Sequence, residues 1–398
     1  MRPPVRLGVA GLGRAFTLML PTLAAHPDVE LVAAADPRRE ARDRFAADFG
    51  AKAHESVEAL CDDANVQAVY VATPHRFHAQ HAVLAASRGK HVLVEKPMAL
   101  TLAEAQAMVD AARAGGVHLV VGHSHSFDAP ILRAREIIER GELGRVRMIT
   151  ALNFTDFLYR PRRPEELDTA AGGGVLFSQA AHQVDIVRLL GGGLGKSVRT
   201  LAGAWDPARP TEGAYAALLA FEDGAYASMT YSGYGHFDSD EFCGGIGETG
   251  FAKDASRYGA ARRARAARAD AGEETAAKTA RNYGGAGYAN APAGAPWHEH
   301  FGLFVVSCER GDVRPTPSGV IVYGDHAVRT EPLEKPRVPR AEVIDELARA
   351  VFDGISPLHD GAWGLATLEV CIAMLASSRE SREVALTRQC RARGIIRA

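Results

Sequence analysis

Lys96 ends the stretch HVLVEK (His91–Lys96), in which strand-like residues run straight into Glu95-Lys96-Pro97. An ammonium at the tip of a buried strand loses its hydration, and only a partner or a reacting group restores that loss. Other groupings also carry chemistry-bearing residues. Gly11-Leu12-Gly13 is followed by Arg14 and Ala15, and Asp36 stands 23 residues beyond Gly13. Ser178, His182 and Asp185 fall at i, i+4 and i+7, which predicts one face of a helix. An imidazole there titrates near working pH and can take a proton. Arg160, Arg162 and Arg163 sit among prolines just after Phe157 and Tyr159. Guanidinium forks grip carboxylates, so this segment reads either as a carboxylate clamp or as a solvated loop paired with Glu165 and Glu166. Histidines recur as His123-Ser-His125, as His298-Glu299-His300 and as His236. His123 and His125 have strand spacing, and the two pairs with a carboxylate could hold zinc or iron if they converged.

The elements that position these residues follow from the pattern. VRLGVA runs into the glycine turn, TLMLPTLAA reads as a helix despite Pro21, and VELVAAAD ends in Asp36. This strand, glycine turn, helix, strand and acid order is the context of a dinucleotide fingerprint. Gly11 permits the tight turn, Gly13 lets backbone approach a pyrophosphate, and the helix opening at Arg14 and Ala15 offers N–H donors. The third glycine position is Phe16, which serves packing rather than the phosphate. Asp36 favours NAD, because a carboxylate repels a 2′-phosphate. Arg38 and Arg39 keep NADP as the alternative. AVYVATP, HVLVEKP and VHLVVGH then alternate with helical stretches. The fold class is therefore α/β, a doubly wound parallel sheet with ligands at the strand C-terminal ends. Lys96 and Thr73 lie on that rim.

Predicted domains are a dinucleotide-binding Rossmann domain over 1–125 and a substrate and oligomerisation domain over 126–398. YAALLAFEDGAYASMTYSGYG is a hairpin signal, and the second domain is expected to be α+β with a large, mostly antiparallel open sheet. Residues 252–296, rich in Ala, Arg and Gly, predict an exposed insertion, and helices close the chain and fold back on the first domain.

Composition sets the outer limits. The 398 residues are 47% hydrophobic and 24% charged with net charge −2, which gives no support for nucleic-acid binding. Cys61, Cys243, Cys308, Cys371 and Cys390 are scattered with no C-x-x-C, so neither a disulfide framework nor a thiolate zinc site is indicated. A strand opens within a few residues of Met1, no apolar run of membrane-span length stands out, and cytoplasmic residence is expected.

The segments GVAGLGRA, AADP, VATPHRFHAQHAVLAASRGKHVLVEKPMAL, GELGRVRMITA and GGGVLFSQAAHQVDIVRLLGG together resemble the Gfo/Idh/MocA oxidoreductases. The likeness runs to about residue 250 and resumes in PLHDGAWGLATLEVCIAMLASSRES. Within that family the chain is most similar to the phthalate cis-dihydrodiol dehydrogenase type. The resemblance implies that Lys96 is catalytic beside a nicotinamide, with Glu95 and Pro97 shaping its loop. It also implies that Thr73, Pro74 and His78 line the cofactor. The family aspartate four residues before the histidine is here Ser178, which cannot hold negative charge, so the base is assigned to His182, with a deprotonated Lys96 as rival. Arg160, Arg162, Arg163, Ser178, His123, His236 and His300 are the candidate substrate contacts, and no metal is expected. The reading is NAD-dependent oxidation of a secondary alcohol of a cyclic, carboxylated substrate, with phthalate cis-dihydrodiol to dihydroxyphthalate favoured, in a homodimer or homotetramer without nucleic-acid or membrane partners. A sugar or cyclitol dehydrogenase and a dinucleotide-binding sensor without turnover are the alternatives.

Overall fold

A computed structural model describes residues 2–268, 270–289 and 296–394, so parts of the predicted 252–296 insertion, at 269 and 290–295, lie outside the described residues. The chain divides into two units. The first comprises Met1–His123, Ala276–Gly294 and Arg337–Leu365, and the second Ser124–Thr275, Ala295–Pro336 and Ala366–Ala398.

In the first unit the strands are β1 (Val5–Ala10), β2 (Val29–Ala35), β3 (Lys52–His54), β4 (Ala68–Val71), β5 (His91–Val94) and β6 (Leu119–Val121). Between them run α1 (Arg14–Ala25), α2 (Arg39–Phe49), α3 (Val57–Asp62), α4 (His78–Ser87) and α5 (Leu102–Ala114). All pairings are parallel in the order β3-β2-β1-β4-β5-β6. This is the doubly wound arrangement whose order reverses between β1 and β4. Helices cover both faces, so β4 is buried throughout and β1 except at Arg6, which explains their unbroken apolar runs. α1 runs through Pro21 without ending. A capping box of Thr101 and Glu104 opens α5 directly after the Lys96 loop.

The sequence leaves Phe16 unexplained, and the structure gives its reason. Its ring meets Tyr283 edge-on at 5.2 Å and Phe45 at 6.2 Å. Tyr283 is fully buried and its hydroxyl donates to Asp48 Oδ2 at 2.6 Å. A residue from the alanine-rich segment thus fills the space beside the fingerprint helix.

The second unit carries α6 (Ala129–Glu139), β7 (Val146–Phe154), α7 (Gly174–Ser178), α8 (Ala180–Leu190), β8 (Gly195–Gly203), β9 (Ala214–Phe221) and β10 (Tyr226–Ser232). Short helices α9 (Ala260–Ala266) and α10 (Ala271–Thr279) follow. Then come β11 (Leu303–Cys308), β12 (Gly311–Thr316), β13 (Gly319–Gly324) and β14 (Val328–Pro332). α11 (Ala341–Asp353) belongs to the first unit, α12 (Gly361–Glu380) begins in the first and continues into the second, and β15 (Val384–Ala385) completes the second unit's sheet. Its order is β14-β13-β12-β11-β7-β10-β9-β8-β15, with β7 and β10 the one parallel pair recorded. β9 and β10 form the expected hairpin. Leu201, Leu218 and Tyr226 are exposed on β8, β9 and β10. α12 has the length and composition to cross a membrane, contrary to the sequence reading, but 72% of its apolar window is buried, as in a core helix.

Glu274 of α10 is buried because Arg209, 1% exposed in its side chain, grips it through Nη2 at 2.8 Å and Nη1 at 3.1 Å. Glu274 also accepts the Arg162 backbone N–H at 2.7 Å. Replacing Arg209 with Met strands a buried carboxylate, and urea unfolding is expected to show a loss of about 3–5 kcal/mol. The double replacement R209M/E274L should recover much of that loss. Additive losses would contradict the pairing.

Candidate active site

In the first unit the glycine turn has the form that a dinucleotide needs. Gly11 has φ +93°, and a Cβ there would lie 2.9 Å from the Ala72 carbonyl oxygen. At Gly13 a Cβ would meet nothing within 4 Å, which leaves the backbone open where phosphates approach. Asp36 is buried at the end of β2 and accepts the Leu12 N–H at 2.8 Å, which ties the acid to the turn. Arg38 donates to Asp36 through its backbone N–H at 2.9 Å and its Nε at 3.0 Å. Arg38 Nη2 lies 3.1 Å from Asp36 Oδ2 and 2.8 Å from the Leu12 carbonyl. A ribose hydroxyl reaching Asp36 would therefore share it with Arg38. Arg14 is held down to about 10, first by burial and then by repulsion from Arg281 and Arg340. That excess of positive charge suits an anionic ligand.

Lys96 follows β5, with its loop set by its neighbours. His78 faces two carbonyls, Nδ1 to Pro97 at 2.9 Å and Nε2 to Thr73 at 2.8 Å. Burial lowers the His78 pKa, and the Lys96 charge adds to that. His78 thereby staples the loop after β4, with Thr73 and Pro74, to the loop that carries Lys96. Glu95 turns inward, where Tyr70 Oη donates to it at 2.6 Å. Burial raises the Glu95 pKa, against the pull of Tyr70 and Lys96.

In the second unit the predicted single helix breaks into α7 and α8 at Gln179 (φ −117°, ψ −42°). Ser178 turns back to donate to the Gly174 carbonyl, and Gln179 Nε2 donates to the Ser178 carbonyl at 3.1 Å. Ser178 and His182 thus sit on separate helices rather than on one continuous face. Below the break, α8 is clamped by its polar residues. Tyr215 donates to Gln183 at 2.8 Å, Ser126 and Thr367 donate to Asp185 at 2.5 and 2.8 Å, and Arg188 donates to Thr367 at 2.7 Å. Asp185 is part of that clamp, and His182 projects from it.

The His182 ring is 4.8 Å from His125 and 5.0 Å from Phe301. Phe301 stacks at 9° on Tyr231, 6.2 Å away, and the Tyr231 hydroxyl donates to Gln179 at 3.2 Å. Burial raises the Tyr231 pKa while the charges of Arg160 and Arg162 oppose the rise, which puts both guanidiniums near this aromatic floor. Arg162 lies over the Phe157 ring at 3.5 Å and is 10% exposed in its side chain. Its pKa is lowered to about 10, by burial first, with Arg160 and Arg209 adding repulsion and Glu166 opposing it. Its Nε is buried with no hydrogen-bond partner among the described residues. Arg160 pairs with Asp156 at 3.0 Å. Burial acts against its charge, but Glu248 and Asp156 outweigh that and raise its pKa.

The remaining sequence candidates are placed otherwise. Arg163 lies 3.9 Å from Glu165 and His236 is exposed. His300 reaches the Ile246 carbonyl at 2.9 Å, and its neighbour Phe301 faces His182 instead. β6 ends at Val121 and His125 opens a short 3-10 turn, so His123 and His125 do not share a strand. His125 is held between Asp128 at 2.7 Å and Glu248 at 3.3 Å. Burial would lower its pKa, but those two carboxylates raise it to about 10. Tyr70, Tyr231, Gln179, Glu248 and Phe301 were not singled out from the sequence, and His125 was weighed there only as a metal ligand. The alternation of YASMTYS puts Tyr231 on one strand face but does not say what it meets.

A family model described as an oxidoreductase family with an NAD-binding Rossmann fold matches residues 5–123, and a GFO/IDH/MocA C-terminal domain model matches 131–252. The chain is 47% identical over 94% of its length, and 95% of the relative's, to 1-carboxy-3-chloro-3,4-dihydroxycyclohexa-1,5-diene dehydrogenase of Comamonas testosteroni. A solved structure from Bordetella bronchiseptica RB50 is 43% identical with TM-score 0.89, covering 96% of this chain and 100% of that one. Levoglucosan dehydrogenase of Pseudarthrobacter phenanthrenivorans is more distant, 31% identical over 47% of this chain and 48% of its own.

Tyr70→Phe removes the hydroxyl that holds the Glu95 pKa down. A carboxyl raised in the folded state adds no penalty below its unfolded pKa and an increasing one as pH rises through the folded value. The variant should be destabilised by about 1–3 kcal/mol, and by more at pH 8 than at pH 5. Equal losses at both pH values in denaturant titrations would contradict the pairing.

Proposed function

The chain belongs to the Gfo/Idh/MocA family of NAD-binding oxidoreductases, and from that premise we propose that it oxidises a carboxylated cyclohexadiene cis-diol to the aromatic dihydroxy acid. The observation that carries this reading is Arg162, a nearly dry cation whose Nε is without a partner among the described residues, in the unit that holds His182. A ring carboxylate would supply an acceptor for Nε, while Nη2 already donates to the Phe157 carbonyl at 2.7 Å and Nη1 lies 3.8 Å from Glu166 Oε1. Phe301, buried beside His182, and Tyr231 stacked on it place aromatic side chains near the base. The named relative acts on a carboxylated ring diol, which agrees with this chemistry.

Gly11, Gly13 and Asp36 would hold the dinucleotide, with the N–H groups at Arg14 and Ala15 facing its phosphates. Bound NAD supplies the hydride acceptor. His182 would take the hydroxyl proton as hydride leaves the carbinol carbon, and Lys96 is proposed as a second acid–base group. The ring ketone so formed moves the neighbouring C–H proton to oxygen and becomes aromatic. Ser178 orients rather than accepts, because its hydroxyl is committed to Gly174. A sugar or cyclitol substrate is less favoured, since no feature of those polyols calls for Arg162. The exposed Leu201, Leu218 and Tyr226 suit a face between subunits of a homo-oligomer.

Lys96→Ala and His182→Ala should each lower the single-turnover rate by about 10²-fold or more, measured as NADH absorbance. Wild-type rates in either variant would return that residue to a structural role. Arg162→Met should raise KM for the carboxylated diol by about 10-fold or more and leave a neutral ring diol unaffected. Equal effects on both substrates would remove the carboxylate clamp.

A further inference from the structure

We propose that the second unit binds a divalent transition-metal ion of the zinc class on His125, Asp128 and Glu299. Each residue offers one ligand atom, and these atoms, together with one from His123, lie within 4.8 Å of one another. They come from two distant segments. His125 and Asp128 flank one 3-10 turn that leads into α6, whereas Glu299 stands in the approach to β11. His125 and Asp128 are buried and Glu299 is half-buried. The sequence motif His298-Glu299-His300 thus contributes its central carboxylate, while His298 Nε2 lies 2.8 Å from the Glu334 carbonyl and His300 meets Ile246.

The orientation of His125 fits a ligand. Its Nδ1 lies 2.7 Å from Asp128 Oδ2, a separation that two donors on one ion can adopt. Its other nitrogen, Nε2, is 3.3 Å from Glu248 Oε1. Metal-bound imidazoles are commonly held in this way, with the far N–H donated to a carboxylate that fixes tautomer and ring plane. A dication on the Nδ1 side would leave the Glu248 hydrogen bond in place. An imidazole among the donors selects zinc, iron, manganese or nickel over magnesium and calcium, which take oxygen ligands. A proton held between His125 and Asp128 is the competing occupant.

The inference does not depend on the substrate and is tested without turnover. Full-length protein purified without chelator is analysed by inductively coupled plasma mass spectrometry. It is then stripped and titrated with Zn²⁺, Mn²⁺ and Mg²⁺ by calorimetry. About one equivalent of transition metal per chain is expected, with Zn²⁺ or Mn²⁺ rebinding to the stripped protein. Asp128→Asn and Glu299→Gln should each weaken that binding by about 10-fold or more, with circular dichroism confirming the fold. His26→Ala, at the other carboxylate-flanked histidine with Asp28 and Asp345, should leave it unchanged. The site is overturned if wild type binds neither Zn²⁺ nor Mn²⁺, if it prefers Mg²⁺, or if both D128N and E299Q bind as wild type does.

Discussion

Arg162 carries a guanidinium into a nearly dry part of the second unit, and much of the surrounding structure answers to that charge. Its face lies on Phe157, its backbone is held by Glu274, and Glu274 is fixed in turn by Arg209. Burial and neighbouring cations make its charge costly enough to bring its pKa to about 10. A protein retains such a residue most readily when a ligand completes it, because an unpaired buried donor costs more than a paired one returns. The same unit holds His182 on a helix whose other polar residues are each tied down. The proposed base is aimed only if its helix cannot turn, and Gln183, Asp185 and Arg188 supply that constraint.

The first unit meets a different requirement, to keep a backbone turn open and a strand-end lysine in place. Gly11 and Gly13 open the turn, and Asp36 ties it to β2. His78 and Tyr70 hold the Lys96 loop, one through two carbonyls and the other through Glu95. Neither the glycine turn nor the lysine loop could keep its form by local propensity alone, and both are anchored by residues of neighbouring elements.

The parallel sheet, the glycine turn and the rim position of Lys96 were legible in the sequence because they rest on short-range periodicity. So was the departure at Phe16, although its reason was not. Tyr283 lies far along the chain, in a segment whose composition hides its burial. The break at Gln179 was missed because Ser178, His182 and Asp185 at helical spacing look alike whether or not Ser178 bonds backward to Gly174. His300 was favoured over Phe301 because histidine suggests chemistry, yet one residue of register sends His300 to the Ile246 carbonyl and Phe301 to His182. Pairings such as Arg209 with Glu274, or His125 with Glu248, join residues far apart in sequence, and no local pattern encodes them.

The central claim is that a buried cation in the second unit selects a carboxylated ring. The direct measurement is kcat/KM of the wild-type enzyme with NAD for cis-dihydrodiols that differ in a carboxylate against a carboxamide or hydrogen. A loss of about 10²-fold or more without the carboxylate is expected, since a site built around a charged group discriminates strongly against its absence. Equal kcat/KM across the series would contradict the account.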